Sequence, residues 1–332
     1  MFELNRRVSE SALNIRAESA RLCTAVNGHI SRILQPEMPL AVPELTQRCK
    51  ELAEECHRCY RENADVRMEQ LRDKHKRLAY PEQIIVMIYS GELLPLVRNW
   101  LASCDHHGIE VRNRTIGFTL DREAENQSQK FGIQSCFLDP DIYVPGGGSQ
   151  VFGDAAFART MFYKNAVVRD ALTLGADILF QDVDLVWLQD PFPYLLRQPS
   201  DFQLMYDGPN PLHAPLYANT GFIHVRCNDA TRAFYDTLLH NSATVLQCRS
   251  HQQPFNQILA HFLLHNVVSA RVLPEETFLN GHLFNLKRGL HQKAQEWKKK
   301  GYVVHVSWTE NREEKRRKIE LFGFDYLQEP RL

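Results

Sequence analysis

Apolar residues along this chain recur in two rhythms, and the rhythm changes near residue 80. Val8, Ala12, Ile15, Ser19, Leu22, Val26, Ile30 and Ile33 trace a stripe at helical spacing. The segment Gln35-Pro36-Glu37-Met38-Pro39-Leu40-Ala41-Val42-Pro43 ends it, because three prolines cannot continue a helix. A second stripe, Leu45, Cys49, Leu52, Cys56, Cys59, Asn63 and Val66, predicts another helix running to about Leu78. Two such faces either close on each other as a hairpin, open to a partner or a second copy, or pack on the rest of the chain. Tyr80-Pro81 marks the boundary, giving an N-terminal helical hairpin over 1–80 and a main domain over 81–332.

From Gln83 the pattern changes. Ile84-Ile85-Val86-Met87-Ile88 is a continuous apolar run of strand length, and a helical stretch follows from about Glu92 to Cys104. Further strands are expected at Thr115–Leu120, Ile178–Phe180, Phe202–Tyr206, Phe222–Val225, Arg271–Leu273 and Tyr302–Val306. Helices are expected at Ala155–Leu174, where Gly175 is placed to end the helix, and at Asp229–His240 and Phe255–Leu264. Alternation of this kind predicts an α/β fold, a sheet covered on both faces by helices. The loop Asp139–Ser149 carries Gly146-Gly147-Gly148 but lacks the spacing of a Walker or dinucleotide loop, so it reads as a lid or linker.

Composition narrows the partners. With 332 residues, 44% of them hydrophobic, the chain can bury a sizeable core. Lys+Arg 39 against Asp+Glu 40 leaves a formal net charge of −1, which argues against a nucleic-acid coat or a polybasic membrane binder. The longest apolar stretch, Ile84–Tyr89, is far short of the roughly 20 residues a membrane span needs. The opening MFELNRRVSE has no apolar core of the secretory type, so a soluble, cytoplasmic chain is the expectation, with the Golgi lumen as the alternative for a chain trimmed of an anchor. Eight cysteines form no dense framework. Cys56-His57-Arg58-Cys59 lacks the second pair that a zinc site needs, and its thiols fall on the helical stripe, where they serve as small apolar groups.

The candidate chemistry follows the strand Ile178–Phe180. Asp182 and Asp184 stand one residue apart, and i and i+2 side chains of an extended segment point the same way. Ligands of open α/β sheets bind at the carboxyl ends of strands. Two close carboxylates stay ionised most readily beside a divalent cation such as Mg²⁺ or Mn²⁺, which keeps part of its shell for phosphate oxygens. Asp182–Val186 literally fits the Asp-x-Asp-x-[Thr/Val] start of haloacid-dehalogenase-type phosphatases. Those proteins open their catalytic domain with it and later supply a paired acidic motif. Here about a hundred α/β residues precede it and no Asp-Asp follows.

A second class accounts for more of the chain. The run Lys164…Leu172…Gly175-Ala176-Asp177-Ile178-Leu179-Phe180-Gln181-Asp182-Val183-Asp184-Leu185-Val186-Trp187-Leu188-Gln189-Asp190-Pro191-Phe192 resembles the core signature of the nucleotide-diphospho-sugar transferase family. That family has the GT-A-like (Rossmann-like) fold and includes plant rhamnogalacturonan xylosyltransferases and cell-wall arabinosyltransferases. Asn219-Thr220-Gly221-Phe222, Phe255-Asn256 and His305-Val306-Ser307-Trp308-Thr309 with Lys315 match in order, so the resemblance covers roughly Gln83–Gln328.

The resemblance implies a retaining glycosyltransferase. It would take a nucleotide sugar, expected to be a UDP-sugar, and a glycan, protein or small-molecule acceptor, with Mn²⁺ or Mg²⁺ as cofactor. Asp184 would hold the metal, Asp182 the metal or the donor ribose, and His305 would be the distant third ligand. Lys315 would neutralise the leaving diphosphate and join the two aspartates as catalytic candidates. Lys164 would support the donor pocket, with Asn219, Thr220 and Gly221 lining the sugar site. Bland readings stand beside these: a core histidine at 305, solvated helix positions at Lys164 and Lys315, and a turn at Asn219-Thr220-Gly221. The family commonly shows Asp-Gln shortly before Phe-Asn, whereas this chain has His251-Gln252-Gln253-Pro254-Phe255-Asn256. Gln252 keeps hydrogen-bonding capacity there but brings no carboxylate. From a different class, a catalytically idle GT-A-like domain recruited through the N-terminal helices is the alternative.

Overall fold

A computed structural model describes residues 42–143, 155–197, 200–208, 217–247, 251–284, 296–309 and 312–327. The stripe over residues 8–33 and the Gly146-Gly147-Gly148 segment lie outside the described residues.

Where the periodicity predicts one helix from Leu45 to about Leu78, the chain makes two, α1 (Val42–Glu62) and α2 (Ala64–His75). The break falls at Asn63, whose side-chain amide donates to the Cys59 carbonyl at 2.9 Å. Asparagine competes for backbone partners in this way and so favours helix ends over interiors. Both helices pack on the α/β body. Cys56, Leu71 and Leu78 share one buried core with Ile84, Val86 and Phe162. Burial pushes the Cys56 thiol up to about 12, so it behaves there as an apolar group.

The continuous apolar run becomes β1 (Gln83–Tyr89). The pleat sorts it into two faces: Ile84, Val86 and Ile88 enter one core, and Ile85, Met87 and Tyr89 enter another. Burial on both faces is why the run does not alternate with polar residues. After β1 come α3 (Leu94–His106), β2 (Thr115–Thr119), α4 (Arg122–Lys130), β3 (Gln134–Phe137), α5 (Ala155–Leu172) and β4 (Asp177–Gln181). Then follow β5 (Leu185–Trp187), β6 (Phe202–Tyr206), β7 (Ala218–Val225), α6 (Asp229–His240), α7 (Ser242–Gln247), α8 (Gln252–Leu264), β8 (Ala270–Val272), β9 (Phe278–Asn280), β10 (Val303–His305) and α9 (Arg312–Leu321).

Seven strands form a mixed sheet in the order β3-β2-β1-β4-β7-β6-β8, in which β7 runs against its neighbours β4 and β6. Helices flank this sheet, as the α/β, GT-A-like reading expects. The parallel pairs β1–β2 and β1–β4 lie on opposite sides of β1, so strand order reverses there and opens a crevice at the carboxyl ends of β1 and β4. A smaller sheet, β5-β10-β9, stands beside the first. None of the described helices is long and apolar enough to cross a membrane.

One buried ion pair ties α2 to α5. Arg67 Nε donates to Asp170 Oδ2 at 2.6 Å, and Tyr60 Oη donates to Asp170 Oδ1 at 2.6 Å. The guanidinium also donates to the Tyr60 carbonyl and Tyr143 Oη, at 2.8 and 3.0 Å. Removing one member strands the other charge in a dry site. Arg67→Met is therefore expected to cost about 3–5 kcal/mol in chemical denaturation, with Arg67→Lys intermediate.

His224 supplies a pH test. It is buried on β7, and neither ring nitrogen has a hydrogen-bond partner. Burial holds its imidazole well below its ordinary value. The unfolded chain takes that proton near pH 6.5, while the folded chain resists it. Stability contributed by neutral His224 is thus complete above that pH and falls below it, by up to about 1.4 kcal/mol per pH unit. Urea midpoints between pH 7 and 5 should show this slope, and His224→Leu should flatten it.

Candidate active site

Asp182-Val183-Asp184 is the link between the two sheets, joining β4, which ends at Gln181, to β5, which begins at Leu185. The link is bent rather than extended, so the strand pleat is not what aims the two carboxylates. Their aim comes from neighbouring strands. The Asp182 backbone N–H donates to the Gly221 carbonyl on β7 at 2.8 Å, and the Val306 N–H donates to the Asp184 carbonyl at 3.0 Å. Below the bend, buried Gln181 accepts from Trp187 Nε1 at 3.0 Å and so braces β4 against β5. Antiparallel pairing of β5 with β10 sets His305 opposite Leu185. A histidine remote in sequence is thereby fixed beside the acidic pair.

His305 Nε2 lies 3.3 Å from Asp184 Oδ1 and 4.0 Å from Asp182 Oδ2. One ligand atom from each of Asp182, Asp184 and His305 can be chosen so that all lie within 4.8 Å of one another. Two ammonium groups flank this set: Lys164 Nζ of α5 is 2.5 Å from Asp182 Oδ1, and Lys315 Nζ of α9 is 2.6 Å from Asp184 Oδ2. Neither lysine sits at the solvated position the bland reading gave it, their side chains being 13% and 23% exposed. Arg312 at the start of α9 pairs with Glu92 just past β1. Burial by itself would raise the Asp184 carboxyl. The Lys315 ammonium and His305 outweigh burial and hold it well below the usual carboxylate range.

Asn219, Thr220 and Gly221 are strand residues of β7, not a turn. Pairing with β6 jumps from Leu204↔Ile223 to Met205↔Asn219, an irregularity that leaves residues 220–222 without β6 partners. Side chains take two N–H groups of this stretch: Thr220 N donates to Gln252 Oε1 at 3.2 Å, and Gly221 N to Asn219 Oδ1 at 2.9 Å. Bulges next to sites commonly re-aim side chains this way. Gln252, on α8, also accepts from Thr220 Oγ1 at 3.3 Å.

Two residues near this set are absent from the sequence-based candidates. Asp207, just beyond β6, accepts from Asn219 Nδ2 at 2.6 Å and from Gln252 Nε2 at 2.9 Å. The signal that could have found it is the one that found Asp182, an acid immediately after an apolar strand. His251 is buried with Nδ1 3.1 Å from Met161 Sδ, and burial with Lys164 nearby drives its imidazole down to about 3. It therefore adds no charge to the pocket at neutral pH, and no sequence pattern marks it.

The chain is also similar to known proteins. The family described as nucleotide-diphospho-sugar transferase matches residues 110–319, more than half of the chain. The chain is 25% identical over 244 residues to UDP-D-xylose:L-fucose alpha-1,3-D-xylosyltransferase 3 of Arabidopsis thaliana, covering 65% of this chain and 62% of that protein. It is 28% identical over 248 residues to Beta-arabinofuranosyltransferase RAY1 of the same plant, covering 69% and 45%. Among solved structures it is similar to the glycosyltransferase GlyE of Streptococcus pneumoniae TIGR4, at 14% identity and a TM-score of 0.47, covering 74% of this chain and 61% of that one. The chain spans less than two thirds of the length of these curated relatives.

Gly221 is the wall common to both halves of the site. A Cβ there would stand 2.2 Å from His305 Cε1 and 2.9 Å from Asp182 Oδ2. Gly221→Ala must displace buried His305 or the Asp182 carboxylate, and overpacking of this kind costs about 1–3 kcal/mol. Thermal denaturation should show that loss, while alanine at Gly108, which has open space around it, should not reproduce a clash and should show only the smaller strain of its positive φ.

Proposed function

The chain belongs to the nucleotide-diphospho-sugar transferase family, and we propose that it is a metal-dependent glycosyltransferase that moves a pentose from a UDP-sugar to an acceptor hydroxyl with retention at the anomeric carbon. The observation that carries this reading is the convergence of Asp182, Asp184 and His305 at the carboxyl end of β4, in the crevice where strand order reverses. The family assignment replaces the phosphatase alternative.

The donor set suits a hard or borderline divalent cation: two carboxylates and one imidazole, leaving positions for phosphate oxygens. Bound there, Mn²⁺ or Mg²⁺ would act as a Lewis acid toward a diphosphate. Charge balance points the same way. Two carboxylates and two lysines nearly cancel, so a pocket that gains a divalent cation becomes dipositive and complements the charge of a nucleoside diphosphate. Lys315 and Lys164 need only turn from the carboxylate oxygens they now hold toward that diphosphate. The leaving group gains negative charge as the glycosidic bond breaks, so fixed cations aimed at it lower the barrier in proportion to the charge that develops. Gly221, with no side chain, lets the reacting centre approach the cluster closely. The name of the first relative supplies UDP-xylose as the leading donor. Arabinose is the second, and a glycan hydroxyl the leading acceptor class.

Two acids, a remote histidine and two lysines converging on one point support an active enzyme over a catalytically idle domain. With Mn²⁺ present, the chain is expected to release UDP slowly from UDP-xylose or UDP-arabinose even without acceptor. Asp184→Ala should lower that rate by at least about 10²-fold, and chelation followed by Mn²⁺ return should abolish and restore it. UDP release that is absent from the wild type across a donor panel would favour the idle reading.

A further inference from the structure

We propose that Asp207 is the carboxylate that grips hydroxyls of the transferred sugar, supplying from the end of β6 the charge that Gln252 does not bring. This rests on the glycosyltransferase reading and names a specificity-determining residue within it. Strands β4 and β6 both run antiparallel to β7, so their carboxyl ends lie at the same edge of the sheet as the start of β7. Asp182 leaves β4 at that edge and Asp207 leaves β6 there, two strand spacings apart, about 10 Å. The stretch Asn219–Gly221 lies between them.

The two aspartates are also joined through hydrogen bonds. Asp207 Oδ1 accepts from Asn219 Nδ2, Asn219 Oδ1 accepts from Gly221 N, and the Gly221 carbonyl accepts from Asp182 N. A sugar whose diphosphate sits on the Asp182–Asp184–His305 cluster therefore lies over Gly221 and extends toward Asp207. Gly221, which has no side chain, leaves room beside the cluster, and the amides of Asn219 and Gln252 border the path on the Asp207 side.

Asp207 is built to accept. Its oxygens take one hydrogen bond each, from Asn219 at 2.6 Å and Gln252 at 2.9 Å, and an ionised carboxylate has about four acceptor sites. Neighbouring sugar hydroxyls match what remains. The residue is half-buried, so it is partly desolvated yet open. Its orientation is held from both sides of the backbone: Asp207 N donates to the Tyr217 carbonyl at 3.1 Å, and the Asp207 carbonyl accepts from Trp308 Nε1 at 3.0 Å. Trp308 itself has φ +57°, an uncommon conformation for a bulky residue, and Lys318 Nζ donates to its carbonyl at 2.6 Å.

The test compares the wild type, Asp207→Asn and Gln252→Glu, with Mn²⁺, on UDP, UDP-xylose, UDP-arabinose and deoxy analogues of UDP-xylose. UDP binding by Asp207→Asn is expected to stay within about twofold of wild type. Its kcat/KM for the pentose donor should fall by roughly 10²-fold, as loss of hydrogen bonds to a charged group predicts. At least one deoxygenation that costs the wild type tenfold or more should cost Asp207→Asn no more than about twofold, a coupling that a merely structural residue would not show. Should Asp207→Asn fail to bind UDP through misfolding, Gln252→Glu, which sets a like charge against Asp207, decides by the same criteria. Wild-type turnover in Asp207→Asn, or deoxygenation costs equal in both proteins, overturns the assignment. So does a wild type that binds UDP but turns over neither pentose donor, although the nucleotide-binding reading then survives. A wild type that binds no UDP overturns both.

Discussion

Pairing of β5 with β10 is the constraint on which the site depends. Each strand is three residues long, and the ladder between them has three residue pairs. It brings His305 to Asp184 across more than a hundred residues of chain, and it does so with backbone bonds that are indifferent to side-chain chemistry. The pairing holds because both strands are buried. Leu185, Trp187 and Val303 enter the core behind the large sheet, and Val186 and Val304 enter a separate cluster with Ile319 and Phe322 beneath α9. The apolar faces of a very short ladder thus position an imidazole, two carboxylates and, through α9, the Lys315 ammonium. Electrostatics alone would not arrange them so, since a buried carboxylate such as Asp184 costs several kcal/mol unless its partners are already in place.

Cationic partners are delivered from two other parts of the fold. Lys164 rides on α5, which α2 grips through Arg67 and Asp170. Lys315 rides on α9, whose first residue reaches Glu92 beyond β1. The α1 and α2 helices therefore do more than cover apolar surface. By clamping α5 they support the helix from which Lys164 reaches the cluster. This makes the segment ahead of the first strand part of the scaffold of the site.

Much of the fold is legible in the sequence where a pattern is long enough to repeat. The helix Asp229–His240 and the strand Phe202–Tyr206 have the bounds their periodicity predicts, the former fixed by an Asn228–Thr231 capping box. Strands β5 and β9, three residues each, pass unread: Leu185-Val186-Trp187 follows the acidic pair directly, and Phe278-Leu279-Asn280 offers only two apolar residues. The single helix expected up to Leu78 divides at Asn63, where one side chain competes with the backbone for the Cys59 carbonyl. The acidic pair announces itself by following an apolar strand. Its convergence with His305, Lys164 and Lys315 does not, because that depends on pairings between distant segments, and only the family resemblance pointed to them. Asp207 carried the same local signal as Asp182 but no neighbouring acid to draw attention to it.

The distribution of amides and charges explains how the two ends of the crevice coexist. At one end two carboxylates face two lysines, so charge is nearly balanced. At the other a single carboxylate, Asp207, is held by the neutral amides of Asn219 and Gln252. A second acid in place of Gln252 would sit within hydrogen-bond distance of Asp207, and one of the pair would have to take up a proton. An amide there removes that conflict: it donates to Asp207 through Nε2 while accepting from Thr220 through Oε1. The β7 irregularity makes this possible, since Thr220 N is free to donate only because it has left the β6 ladder. The amide at position 252 and the bulge in β7 are thus two parts of one arrangement, which holds the Asp207 carboxylate without setting a second acid against it.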